Sequence, residues 1–306
     1  MTPDTYTIAE HHFSVGDGHT LYVHDWGNPD AEKAIVSLHG GPGGGSKDSH
    51  KGRFDPTRQR VIFFDQRGCG HSTPRGSLTN NTTEKLVEDI STIADKLKLD
   101  TFILTGGSWG SCLALAYALK HPERVSAMVL NGVFTGSEAE IDWLNNGLFR
   151  TTFPDAWERY LAATPAEHHK DPTAYHYGRI VSGGEAAARA SGYAYTMLMG
   201  SIMALDDRFT PSDPAEFDPT DMRMEMHYLA NRCFMPNRYI LNHASKLTMP
   251  IWLVQGRYDM VCPPFTAYEL HKQLPNSELA WTINGHRGDH ESVTVSKTIL
   301  LQLTNG

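Results

Sequence analysis

At 306 residues, with 40% hydrophobic and 20% charged side chains, the chain has ordinary globular usage and is long enough to bury one large core, with or without an insertion. A formal net charge of −8 argues against a surface built for nucleic acid or other anionic polymers. No apolar run approaches the roughly 20 residues of a membrane helix, and residues 1–20 lack the apolar stretch of a secretory signal. Cys69, Cys112, Cys233 and Cys262 are scattered without a C-x-x-C pair, which fits buried free thiols in an intracellular, cytoplasmic protein with no metal site.

In chain order, residues 20–26, 34–38, 61–65, 101–105 and 127–130 read as strands. Several are short, nearly continuous apolar runs, as expected for a parallel sheet covered on both faces. Leu86, Ile90, Ile93 and Leu97 recur at steps of four, three and four, so a helix is expected from about residue 82, with Asn81 or Thr82 as its cap. From residue 134 to about 245 strand patterns vanish and helical ones, such as 193–205, take over. Strand character returns at 250–255 and 279–283, with helices expected at 266–273 and 293–303. The reading is an α/β fold: a core of residues 1–133 and 246–306, interrupted by a helical cap of residues 134–245.

Gly106-Gly107-Ser108-Trp109-Gly110 leaves the strand 101–105 and opens the helical run 111–120. That is the strand, sharp turn and helix context of a nucleophile elbow, with Ser108 as the nucleophile. A serine hydroxyl needs a base, which in this arrangement follows an acid late in the chain. Asp259 and His286 both lie just beyond strand ends, where open α/β sheets place their sites. His290 and Asp289 are the rivals. His39 reads as structural, and His71 and His121 as surface or loop residues. The glycine-rich stretch 39–45 leaves the strand 34–38 and suits an oxyanion loop, with the amides of Gly41 and Trp109 as donors and Gly40 at the substrate. It fails as a phosphate loop, because Lys47 is not in a G-K-[ST] context. Dehalogenase and epoxide hydrolase chemistry would require Asp at the elbow.

The blocks HGGPGGG (39–45), FDQRGCG (64–70), GGSWGSCLALAY (106–117), HPERV (121–125), FPDAW (153–157), GRYDMVCP (256–263) and Gly285-His286 together resemble the proline iminopeptidases. The resemblance implies an α/β-hydrolase fold with a mostly parallel eight-stranded sheet and an inserted helical cap. It also implies a serine peptidase that releases N-terminal proline from short peptides with neither metal nor organic cofactor. Glu225, in a matching cap segment, inherits the role of gripping the substrate amine. Met199 stands where a second family glutamate is expected, and Arg287-Gly288-Asp289 replaces smaller residues after His286. A related hydrolase of small amides or esters, and a non-catalytic ligand-binding member of the fold, remain as other readings.

Overall fold

The computed structural model describes residues 4–146, 149–205, 213–288 and 290–304. Its strands are β1 (Thr7–Gly16), β2 (His19–Gly27), β3 (Ala34–Leu38), β4 (Arg60–Phe64), β5 (Phe102–Ser108), β6 (Val125–Val133), β7 (Ile251–Gly256) and β8 (Ser277–Thr282). They form one sheet in the order β1-β2-β4-β3-β5-β6-β7-β8. The β1–β2 and β2–β4 pairs are antiparallel and the remaining pairs parallel, so the expected mostly parallel eight-stranded sheet is observed.

The apolar runs form strands because both faces of the sheet are covered. Val36, Ile62 and Leu104 face one buried cluster, whereas their neighbours Ile35, Val61 and Ile103 face another. On the first face lie α1 (Thr83–Lys96) and α2 (Trp109–Lys120). Thr82 caps α1 by accepting the Lys85 amide, and Leu86, Ile90 and Ile93 form its buried stripe. Strand β1 escapes the sequence reading for a physical reason. It is an edge strand whose residues alternate between exposed and partly buried positions, so no apolar run marks it.

Between β6 and β7 come α3 (Glu138–Asn146), α4 (Phe149–Thr152), α5 (Pro154–Ala162), α6 (Pro172–Ser182), α7 (Glu185–Gly200), α8 (Thr220–Ala230) and α9 (Tyr239–His243). The helix expected at 193–205 instead starts at Glu185 and stops at Gly200. These helices share a small core of their own, with Trp157, Tyr160, Ile180, Tyr195, Leu198 and Met226. Helix α8 belongs to both cores: Met226 packs into this one, Met224 and Tyr228 into that of the sheet. After β7, α10 (Pro264–Gln273) and α11 (His290–Leu303) complete the chain. Among the described residues no helix is long and apolar enough to cross a membrane.

The backbone is tightly packed at the β5–α2 junction. Ser108 has φ 56° and ψ −127°, a region that L residues seldom occupy without enforcement by their surroundings. The turn closes because its flanks have no side chains. A Cβ on Gly106 would stand 2.4 Å from the Gly110 carbonyl oxygen, and one on Gly110 would stand 2.2 Å from that of Leu38. Gly110→Ala therefore forces backbone apart in the centre of the sheet. We expect a loss of about 1–3 kcal/mol in urea unfolding, with hydrolytic activity falling with it; wild-type stability in this variant would show that the junction has slack.

Candidate active site

The loops that leave the carboxyl ends of β3, β5, β7 and β8 meet around Ser108. Asp259 follows β7 and His286 follows β8, and the structure brings these two together: His286 Nδ1 lies 2.9 Å from Asp259 Oδ2 and 3.1 Å from Oδ1. A carboxylate can only accept, so Nδ1 carries the proton and Nε2 is the nitrogen left to act on something else. Asp259 is 1% exposed, and its Oδ1 also accepts the amides of Val261 (2.9 Å) and Cys262 (2.8 Å). Gly132, at the end of β6, lines the pair; a Cβ there would come within 3.3 Å of Asp259 Oδ2 and 3.5 Å of the His286 ring. Burial works against the imidazolium, but the ion pair with Asp259 outweighs it and holds the His286 pKa well above its ordinary value. The rival His290 opens α11 at an exposed position and makes no contact with Asp259. Asp289 lies outside the described residues.

Cys262 was not singled out from sequence, yet its Sγ is 3.9 Å from Ser108 Oγ. The ligand-type atoms of Asp259, Cys262 and His286 all fall within 4.8 Å of one another. As a metal set they are poorly disposed. Asp259 is already saturated by His286 and two amides, and burial raises the Cys262 pKa, favouring its thiol.

The glycine-rich loop runs directly over the serine, since a Cβ on Gly40 would be 3.5 Å from Ser108 Cβ. Gly41 follows, exposed, with φ 117°. The loop is pinned from beneath by three side chains. His39 Nε2 accepts the Gln66 amide at 3.0 Å, so its Nδ1 carries hydrogen and donates to the Gly40 carbonyl at 2.9 Å. Gln66 Nε2 donates to the His39 carbonyl, and Gln66 Oε1 accepts the Trp109 indole N–H at 2.9 Å. Trp109 is fully buried, and its ring centroid stands 4.7 Å from that of Tyr228 on α8. Thus the amide-bearing loop, the first turn of α2 and the inserted helices form one braced unit. His39 has the structural place expected of it, His71 is largely exposed, and His121 caps the end of α2.

Glu225 is carried by α8 between the buried Met224 and Met226. Among the described residues no hydrogen-bond donor or ion-pair partner meets its carboxyl. Burial therefore pushes its pKa up to about 8, with the His286 charge pulling it down and Asp221, one turn earlier, pushing it up. Met199, on α7, packs among the apolar residues that include Tyr195, Leu198 and Met226. Tyr195 lies near enough to Glu225 for that carboxylate to help raise its own pKa, after burial and Tyr177. Asp221 and Tyr195 carry no motif that would have marked them in the sequence.

A cavity of about 650 Å³ opens at the serine, lined by Gly40, Ser108, Asp259 and His286 together with Arg53 and Ser292. Its size is that of a small-molecule site.

The family described as the alpha/beta hydrolase fold matches residues 33–286. The chain is 39% identical over 269 residues to a probable proline iminopeptidase of Leptolyngbya boryana, covering 85% of this chain and 83% of that protein. It is 40% identical over 273 residues to a proline iminopeptidase of Xylella fastidiosa, covering 88% and 87%. This chain belongs to the proline iminopeptidase family of α/β-hydrolases. A plant relative, the proline iminopeptidase of Arabidopsis thaliana, shares 36% identity over 93% of this chain and 77% of its own length. Among solved structures, an esterase from Exiguobacterium antarcticum superposes with TM-score 0.67 at 19% identity, over 97% of this chain and all of that one. A proline iminopeptidase-related protein from Thermus thermophilus gives 0.60 at 21% identity, over 97% and 98%. Identities this low speak for the fold alone.

The raised Glu225 pKa has a stability consequence with a definite sign. In the unfolded chain the carboxyl loses its proton near the ordinary 4.5, whereas in the folded protein it holds it to about 8. Across that window the folded state binds more protons, so stability falls as pH rises. Glu225→Gln keeps the shape and removes the titration. Melting temperature measured from pH 5 to pH 8 should decline less in Glu225→Gln than in the wild type; parallel curves would place the carboxyl in a better-solvated setting.

Proposed function

We propose that this chain is a serine aminopeptidase that releases N-terminal proline from short peptides, with Ser108 as nucleophile, His286 as proton carrier and Asp259 as its orienting acid. The observation that carries the reading is Ser108 in a strained strand-to-helix turn, lining one cavity with a histidine whose Nδ1 is held by a buried carboxylate. His286 Nε2 would take the hydroxyl proton as Ser108 attacks the scissile carbonyl, and would return it to the departing amine. The Gly41 and Trp109 amides would receive the oxyanion, helped by the positive end of α2, and water would then release the acyl group by the reverse use of the same histidine. We assign residues 134–245 as a cap, and place the substrate ammonium against Glu225 beneath it. An ammonium arriving there would displace the proton from Glu225, turning a neutral carboxyl into a charged partner. Relatives named proline iminopeptidases over most of this chain support the substrate class. Four buried free thiols suit a reducing compartment such as the cytoplasm.

Met199 in the apolar core of the inserted helices favours a second reading, in which neutral amides or esters are also accepted. One experiment separates the two: kcat/KM for a proline arylamide and for a matched uncharged ester, in wild type, Ser108→Ala and Glu225→Gln. Ser108→Ala should lose about 10⁴- to 10⁶-fold on both substrates. Glu225→Gln should lose far more on the arylamide than on the ester, because only the arylamide substrate leaves an ammonium unpaired. Equal losses would mean that Glu225 supports the fold and does not read the amine.

The pH profile follows from the Asp259–His286 pair. His286 must be neutral to accept a proton, and its pKa lies well above the ordinary histidine value. Consequently kcat/KM should still be climbing above neutral pH, with its acid limb on the alkaline side of 6.5. His290→Ala should keep this limb and His286→Ala should abolish activity. A limb at or below 6.5, or one that moves with His290, would reassign the base.

A further inference from the structure

The cavity at Ser108 has a charge character that amine recognition does not explain. Three cations line it: Lys47, Arg53 and Arg287. The one acid among its described lining residues is Asp259, which is committed to His286 and to two backbone amides. Arg53 is the telling member. It ends the short helical turn Asp48–Arg53, its side chain is partly buried, and it has neither a hydrogen-bond nor an ion-pair partner among the described residues. Its neighbours in sequence behave otherwise. Lys51 binds Asp4 and Asp48, and Arg60 binds Asp25. A guanidinium drawn out of water without a carboxylate is costly unless something else supplies the anion.

The position of Arg53 suggests what that is. A methyl placed on Gly288, two residues beyond His286, would stand 3.9 Å from Arg53 Nη2, so the guanidinium borders the loop that carries His286. No residue of α8 lines the cavity, which reaches Ser108 and His286 without touching Glu225. A substrate with its amine at Glu225 and its scissile carbonyl at Ser108 has only its departing part left to place, on the side where His286 delivers a proton. We propose that this cavity receives the departing segment of a short peptide and that Arg53 binds its C-terminal carboxylate; the proposal rests on the aminopeptidase reading of Ser108. The planar guanidinium matches a carboxylate with two parallel hydrogen bonds, and Lys47 and Arg287 strengthen the local positive potential. Burial alone lowers the Arg53 pKa from its ordinary value, in keeping with a cation that lacks its counter-ion in the free protein. Because each added residue moves the carboxylate about 3.5 Å further from the scissile bond, such a site also selects for length.

The test compares kcat/KM for prolyl-alanine and prolyl-alaninamide, which differ only in the terminal charge, in wild type, Arg53→Met and Arg53→Lys. The wild type should favour the free carboxylate about ten- to a hundred-fold, the range of a charged hydrogen bond. The ratio should collapse toward one in Arg53→Met and take an intermediate value in Arg53→Lys. A wild-type ratio near one overturns the proposal whether or not the Met variant folds, and so does a wild-type-like ratio in either variant. Wild-type cleavage of a proline arylamide, which has no carboxylate, is read alongside. If that fails, the aminopeptidase reading falls; if it succeeds while the two dipeptides are cleaved alike, only the carboxylate site falls.

Discussion

The backbone at Ser108 sits at φ 56° because three segments approach closer than side chains allow: the last turn of β5, the first of α2 and the end of β3. Nearly every other feature of the site depends on this close approach. It lifts the serine out of the sheet, starts α2 directly beneath it and draws the glycine-rich loop across its face. The cost of such a conformation is of the order of 1–3 kcal/mol and must be met by packing around it. That packing is visible in α2, where residues 109–118 are buried and Trp109, Cys112, Leu113 and Leu115 are sealed from solvent. The braces from His39 and Gln66 keep the loop registered to the same helix. Strain and rigidity are therefore two sides of one arrangement.

Around this fixed centre, titratable groups meet low solvation in different ways. Burial disfavours the His286 imidazolium, but the Asp259 carboxylate hydrogen-bonded to it outweighs burial. Glu225 has no such partner and stays protonated to about pH 8. Arg53 cannot shed its proton within any ordinary pH range, so it carries a charge without a mate. These responses follow from the chemistry of each group rather than from its distance to the serine. A carboxyl can wait neutral; a guanidinium cannot. On the proposed reading, the amine end and the leaving-group end of the site would thus differ in kind: one neutral at rest and charged on binding, the other charged at rest and neutralised by what enters.

The sheet was legible in sequence where both of its faces are buried, because continuous apolar runs such as those of β3, β4 and β5 admit few other readings. Strand β1 was not, since an edge strand with one wet face carries no such run. Ser108, Asp259 and His286 could be named as candidates from chain order and strand ends alone; the structure pairs His286 with Asp259, and all three line one cavity. Glu225 came only through family resemblance; nothing about a lone glutamate between two methionines separates it from a surface residue. Cys262, Gly132, Gln66 and Tyr195 were invisible as site neighbours, because each reaches the centre through folding of distant segments. Arg53 had no signal of any kind, since the absence of a partner is a property of three-dimensional surroundings and not of a sequence pattern.

The inserted helices leave from β6 and return to β7, which are adjacent strands paired from Met128 with Ile251 to Asn131 with Val254. The entropy of closing such a long excursion grows only slowly with its length, by about 0.6 kcal/mol for each doubling. Descendants of this fold can therefore lengthen, shorten or exchange the stretch from α3 to α7 while the strand pairing beneath stays intact. Helix α8 is different, because Tyr228 meets Trp109 and Asn81, and Met224 fills the sheet core. Length change is thus cheapest in the front half of this excursion, whereas α8 is anchored in both cores.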